Sequence, residues 1–246
     1  MLLIDNVTKR YGNFTAVDGA SLSLPSGTIH GFLGPNGAGK TTTMKMICGL
    51  IKPTSGQILV DGYDVQREPL EVKRRIGYIP DRPHVYDRLS ALEYMYFIAG
   101  LYQMDKETAK TASLEQLELF GLSHVKDHLL ESFSHGMKQR VVMASVLMHN
   151  PRLMIVDEPM VGLDPQGARL LKDVLRQKAS EGMTIMLSTH TLEVADEVCD
   201  EVTVIQRGRI IAQGSPEALR TQTGSEGRRL EEVFLQLTAE AEVSDP

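Results

Sequence analysis

Cysteine is scarce: Cys48 and Cys199 are the only two in 246 residues, and they form no CxxC pair. That excludes a disulfide framework and fits a reducing compartment. No block of basic residues interrupts a chain of net charge −6, so a sequence-independent grip on nucleic acid is not expected. Long apolar runs are missing too. The longest, Tyr94 to Tyr102, is far too short to span a bilayer. The opening residues, MLLIDNVTKRYG, carry charge too early for a signal peptide. The chain is expected to be soluble by itself, and any membrane role then needs a partner. There is no internal repeat and no low-complexity segment. The length suits one large domain, or a core with a lobe.

What the sequence does have is Gly34-Pro35-Asn36-Gly37-Ala38-Gly39-Lys40-Thr41-Thr42, which fits G-x-x-x-x-G-K-[ST]. At ordinary residue frequencies the bare pattern arises by chance in roughly one chain in a hundred of this length. Its flanks make chance rarer still. Ile29 to Leu33 reads as a short buried strand, and Thr42 to Leu50 as a helix with Met44, Met46, Ile47 and Leu50 apolar. Glycines let backbone N–H groups turn toward phosphate oxygens, and a helix N-terminus adds partial positive charge. Lys40 would reach the β- and γ-phosphates, and the Thr41 hydroxyl would ligate Mg²⁺. The chain therefore reads as a binder of a nucleoside triphosphate.

The rest of the chain alternates. Leu2 to Leu24 holds short β stretches broken by turn signals at Gly12-Asn13 and Asp18-Gly19. Gly56 to Val60 and Gly77 to Pro80 read as strands, with a short helix over Leu70 to Ile76 between them. From Ser90 to about Asn150 the pattern turns helical. Leu92, Met95, Tyr96 and Ala99 recur at helical spacing, as do Leu114, Leu117 and Phe120. Leu153 to Val156 is a continuous apolar run, as a covered parallel strand requires. A helix (Gln166 to Ser180), a strand (Met183 to Ser188) and a hairpin turning at Arg207-Gly208 follow. The sum is an α/β core interrupted by a helical insertion near 82–150.

Three further groups carry chemistry. Asp157 and Glu158 end the apolar run, and ligands sit at the carboxyl ends of parallel strands. Asp157 would hold Mg²⁺ directly or through water, and Glu158 could orient or deprotonate the attacking water. The plain alternative is an Asp-Glu turn, which the phosphate loop makes much the weaker reading. His190 leaves the strand that begins at Met183 and could touch the γ-phosphate, although a lone histidine is usually structural. Ser134-His135-Gly136 precedes a helix. It reads either as a simple N-cap or as a second anion site at a helix N-terminus.

In this order the phosphate loop, Ser134-x-Gly136, Asp157-Glu158, Gly162-Leu163-Asp164 and His190 resemble an ATP-binding cassette (ABC) ATPase, the motor subunit of ABC transporters. The resemblance covers nearly the whole chain. It implies an α/β fold: a P-loop NTPase (RecA-like) core with an N-terminal antiparallel β subdomain and an inserted helical subdomain. The core would take 1–81 and 151–215, the insertion 82–150 and a helical tail 216–246, within one cassette of about 2–235. It implies ATP and Mg²⁺ as ligands, with Tyr11 stacking on adenine and Gly34 to Thr42 binding phosphates. Glu158, His190 and Lys40 would be catalytic, and Thr41 and Asp157 would hold Mg²⁺. Ser134, Gly136 and Asp164 would act in trans across a head-to-tail dimer, of like or unlike chains, with two ATP sandwiched. Separate integral membrane subunits, and a place on the cytoplasmic face of the membrane, are also implied.

Three departures from the family pattern stand out. Asp81 occupies the position of a usual glutamine; it cannot donate as an amide does but can accept from a Mg²⁺-bound water. The signature reads Phe133-Ser-His-Gly-Met137 rather than Leu-Ser-Gly-Gly-Gln, which keeps Ser134 and Gly136. His135 is read either as a surface filler or as an added protonatable contact. Met160-Val161 replaces small polar residues. His124 and His128 lie four apart, but no third ligand supports zinc, so an exposed helix face is expected. Leu230, Val233, Phe234 and Leu237 form an apolar stripe with Glu231, Glu232 and Glu240 outside it. The stripe either caps the core or docks a partner; it resembles the tail of ATPases serving ABC-2 type exporters. The competing expectation is a single-cassette ATPase outside transport, such as an assembly factor or a nucleic-acid or ribosome-associated protein.

Overall fold

The structure is a computed structural model describing residues 1–82, 84–225 and 227–243, with side chains described through Ala239. Residues 83 and 226, the last three residues of the expected tail and the Glu240 side chain lie outside that set. The first half of the chain forms β1 (Leu2–Tyr11), β2 (Phe14–Leu24), β3 (Ile29–Leu33), α1 (Lys40–Ile47), β4 (Ser55–Val60), β5 (Tyr63–Asp64), α2 (Pro69–Arg75) and β6 (Ile76–Ile79). Helices α3 (Ala91–Leu101), α4 (Lys106–Leu119) and α5 (His135–Leu147) follow. Then come β7 (Leu153–Asp157), α6 (Pro165–Ser180), β8 (Thr184–Thr189), α7 (Leu192–Val198), β9 (Glu201–Gln206), β10 (Arg209–Gly214), α8 (Pro216–Gln222) and α9 (Leu230–Val243).

Two sheets result. One is antiparallel in the order β2-β1-β4-β5, and the other runs β10-β9-β3-β8-β7-β6 with only β10 antiparallel. The large sheet is covered on both faces, and strand alternation shows it. On β7, Leu153 and Ile155 join the core shared with α1 and the antiparallel sheet, while Met154 and Val156 join the core under the helices. A strand with two buried faces has no polar side, hence its unbroken apolar run.

Helices α3, α4 and α5 lie between β6 and β7 in sequence, although β6 and β7 are neighbours in the sheet. They form a lobe around Met95, Leu117, Phe120 and Val141. Ser90 and Glu93 cap α3 reciprocally, and Asp105 caps α4. Within the stripes read from sequence, Tyr96 and Leu114 face outward, 39% and 38% exposed.

Several expectations need correction. Asp18-Gly19 does not break a strand. β2 runs straight through it as a bulge, because Asp18 N–H donates to the Gly208 carbonyl (2.8 Å) and Gly19 N–H to the Thr8 hydroxyl (3.0 Å). The helix after the phosphate loop starts at Lys40 and ends at Ile47. Gly49, at φ 66°, turns the chain back so that Leu50 N–H reaches the Lys45 carbonyl. His124 lies in a single 3-10 turn, with His128 beyond it, so the two do not share a helix face. Among the described residues no group of three or more His, Cys, Asp or Glu side chains is placed to hold a metal around either of them. Leu230, Val233 and Leu237 of the tail are buried against the chain's own core, with Phe234 half-buried beside them.

Candidate active site

The phosphate loop joins β3 to α1. Gly34 is required by space: a Cβ there would sit 2.3 Å from the Ile205 carbonyl oxygen. Gly39 turns at φ 111°, and a Cβ there would meet the Ala16 carbonyl at 2.6 Å. No side chain caps α1, so its first amides point into the mouth of the loop, the arrangement that receives an anion. Lys40 is buried. Its ammonium donates to the carbonyls of Gly34 (2.6 Å) and Pro35 (3.2 Å), which holds it over that mouth. Burial pushes its pKa down, and the charges of Glu158 and Asp157 push the other way.

Asp157 ends β7 and is 3% exposed. Its carboxylate accepts from the Thr41 hydroxyl at 3.1 Å and from the Ser188 hydroxyl on β8. Glu158 follows at φ 51°, a left-handed conformation that costs a non-glycine residue about 1 kcal/mol or more. Its N–H donates to the Ser188 carbonyl at 3.1 Å, which holds the turn. The strained turn swings the Glu158 carboxylate to His190, 2.9 Å from Nδ1. His190 is itself exposed, at the end of β8.

Lys40, Thr41, Asp157 and Glu158 share one cleft of about 360 Å³, lined also by Asn36, Gly37, Gly39, Thr42 and Asp81 on its polar side; His190 is not among the lining residues. Gly34 and Ala38 are buried beneath it, and Pro35 contributes its carbonyl to Lys40. Phe14 and Ala16 supply an apolar wall. Tyr11 is not part of that wall. It is 50% exposed, with the Lys9 ammonium 4.9 Å from its ring centroid. Its hairpin partner Phe14 faces the cleft instead. Sequence reasoning passed over Phe14, although an aromatic three residues after Tyr11 and across a turn was a usable signal. It also passed over Ser188, whose hydroxyl fixes Asp157.

Ser134, Gly136 and Asp164 do not line this cleft. They gather at the starts of two helices elsewhere on the surface. Ser134 caps α5 by accepting from Met137 N–H (3.3 Å), and Asp164 caps α6 by accepting from Gly167 N–H (2.7 Å). Gly136 lies so near the segment before α6 that a Cβ would stand 3.1 Å from the Gly162 carbonyl. His135 is exposed, and one edge of its ring abuts Gly162. Met160 packs against the helical core, while Val161 is 45% exposed.

A second, larger groove of about 600 Å³ shares no residue with the cleft. It runs between α2, β6 and α3, floored by Leu50, Leu70, Tyr78, Ile98 and Tyr102, with Lys73 and Arg74 at its rim. No helix among the described residues is long and apolar enough to cross a membrane.

A phosphate loop, paired carboxylates on the next strand but one and a histidine on the strand between them define a P-loop ATPase with an inserted helical lobe. A family model described as ABC transporter matches residues 17–161. The chain is 39% identical over 226 residues to the linearmycin resistance ATP-binding protein LnrL of Bacillus subtilis (strain 168), spanning 92% of this chain and 73% of that protein. A solved structure described as the ATP-binding subunit of an ABC transporter superposes with a TM-score of 0.91 at 31% identity, over 97% of this chain and 99% of that one. A dimeric ATP-binding cassette in a post-hydrolysis state with ADP and phosphate superposes with a TM-score of 0.80 at 26% identity, over 87% of this chain and 98% of that one. The chain belongs to the ABC transporter family, and within it to the subunits that bind and hydrolyse ATP.

Proposed function

We propose that two copies of this chain, or this chain and a similar one, close head to tail on two ATP molecules and so drive an exporter whose membrane-spanning part is a separate subunit. The observation that carries the reading is the separation within one chain. The loop, Asp157 and Glu158 line the cleft, whereas Ser134, Gly136 and Asp164 cluster outside it, at the starts of two helices. A second chain turned by a two-fold rotation would bring its own cluster over this chain's cleft. The dimeric cassette with ADP and phosphate, similar in fold, supports the pairing.

In each composite site Lys40 would neutralise the β- and γ-phosphates, with the α1 N-terminus behind it. The donor set fits Mg²⁺: a hydroxyl (Thr41) and buried carboxylate oxygens (Asp157) are the hard oxygens that ion takes. Asp81, on the same cleft wall, would accept from water around it. The ion, when bound, supplies charge neutralisation of phosphate oxygens. Glu158, already held by His190, would orient the water and take its proton as the γ-phosphate leaves. Phe14, with Tyr11 nearby, offers the aromatic surface for adenine. Loss of γ-phosphate contacts would release the pair.

The apolar groove beside α3 would seat a short segment of the membrane subunit, and on this reading the chain would work at the cytoplasmic face of a membrane. Export follows from likeness to a resistance protein and from the tail sequence. The test is to tag the chain, isolate it from its own membranes in mild detergent and identify what co-elutes. The expected result is a polytopic membrane protein in near-equal amount. Recovery only with ribosomes, DNA or assembly proteins would contradict the transport role and leave the ATPase chemistry standing.

A further inference from the structure

Gln139 is a polar side chain sealed inside the junction between lobe and core, only 1% exposed. Its amide nitrogen donates to the Pro159 carbonyl at 2.7 Å. Its amide oxygen is buried and has no hydrogen-bond partner. A buried amide with one orphaned end is an unfavourable choice for filling space, since methionine or leucine would fill it without that loss. The residue is explained by what its nitrogen holds.

Pro159 directly follows Glu158, whose backbone is strained at φ 51°. Two anchors fix that strained residue from opposite sides. On the core side, Ser188 accepts from Glu158 N–H. On the lobe side, Gln139 holds the next carbonyl. His135 lies four residues before Gln139, on the same face of α5, and its ring rests against Gly162 so tightly that a Cβ on Gly162 would fall 2.4 Å from it. One face of α5 thus grips both ends of the segment 159–162. That segment follows Glu158 directly and leads to Asp164.

We infer that Gln139 is a positioning residue for hydrolysis: it ties the orientation of α5, which begins at Ser134, to the placement of the Glu158 carboxylate in the same chain. The inference rests on the reading of Glu158 as the group that activates water. In the paired molecule, α5 begins at the partner's ATP and, at the start of its second turn, meets this chain's own catalytic turn. Engagement at one site is then felt at the other through a single hydrogen bond and a single ring contact. Gln139 lies outside the cleft, so it bears on turnover and not on nucleotide affinity.

The test uses the full chain with Gln139→Met, which keeps length and apolar volume but removes the donor. The expected result is a fall in kcat of about tenfold or more, with KM for ATP and the Kd of a fluorescent ATP analogue unchanged within twofold. An unchanged kcat, or a Kd that rises in step with the loss of kcat, would overturn the inference. A double-mutant cycle then separates positioning from general damage. In the Glu158→Gln background, Gln139→Met should cause no further loss of single-turnover hydrolysis. A second loss of the same factor would show that Gln139 acts independently of Glu158 and defeat the claim. If Glu158→Gln alone turns over normally, the reading of Glu158 fails first, and Gln139 has nothing to position.

Discussion

His30 shows how far a side chain's neighbourhood sets its chemistry. It lies on β3 at 1% exposure, with Nε2 2.8 Å from the Thr203 hydroxyl. Burial pushes its pKa down to about 4, and His149, stacked on Tyr102, is pushed to about 4 as well. Both therefore stay neutral in the folded chain where the unfolded chain takes up protons near pH 6.5. The sign is fixed: the unfolded state binds more protons between pH 6.5 and 4, so stability falls as pH falls through that window. For His30 the loss at pH 4.5 is roughly 2–3 kcal/mol. Urea unfolding at pH 7 and pH 4.5 should show it, and His30→Gln should show a smaller drop between the two. An identical drop in the variant would contradict this account. At this scale the sequence was informative for charged groups in motifs, and Lys40, Thr41, Asp157, Asp81 and Glu158 do share one cleft. It was silent on Phe14, Ser188 and Gln139. Their roles depend on a hairpin pairing, a neighbouring strand and an inter-lobe contact, none of which has a local signature.

Elements were legible where the hydrophobic pattern was strong and both faces were covered. The strand Ile29–Leu33 matches its reading residue for residue, and Leu153 to Val156 gains only Asp157. Failures came where tertiary partners overrode a local signal. Asp18-Gly19 looks like a turn, but Gly208 and Thr8 satisfy its backbone and keep β2 whole. The helix α7 went unread because seven residues carry too little periodicity. The C-terminal helices show which contacts matter. Arg220 of α8 donates from Nη2 to both carboxylate oxygens of Asp196 of α7, at 2.5 Å each, with the Arg220 side chain 14% exposed. Arg229 reaches Glu193 only at 3.6 Å, and both are largely exposed. Replacing Arg220 with alanine should cost about 2 kcal/mol, since charge-assisted bonds out of water are the strong ones. Arg229→Ala should cost less than about 0.5 kcal/mol. Equal midpoints in urea for the two variants would refute the assignment of Arg220 as the anchor of the tail.

The motif residues fall into two groups: the phosphate loop, Asp157 and Glu158 look into one cleft, while Ser134, Gly136 and Asp164 lie together outside it. The order of these motifs along the chain made the family readable before any coordinates, because the same set in the same order rarely arises by chance. The separation of the two groups was not readable, since spacing along a chain does not say which way a lobe turns. On the proposed mechanism ATP itself completes the site by joining two chains. Sedimentation velocity of the Glu158→Gln variant with Mg-ATP tests it most directly. The account predicts a dimer with Mg-ATP and a monomer with ADP, alongside a loss of turnover of about 100-fold or more. A variant that binds Mg-ATP yet sediments as a monomer at every concentration of nucleotide would contradict the account.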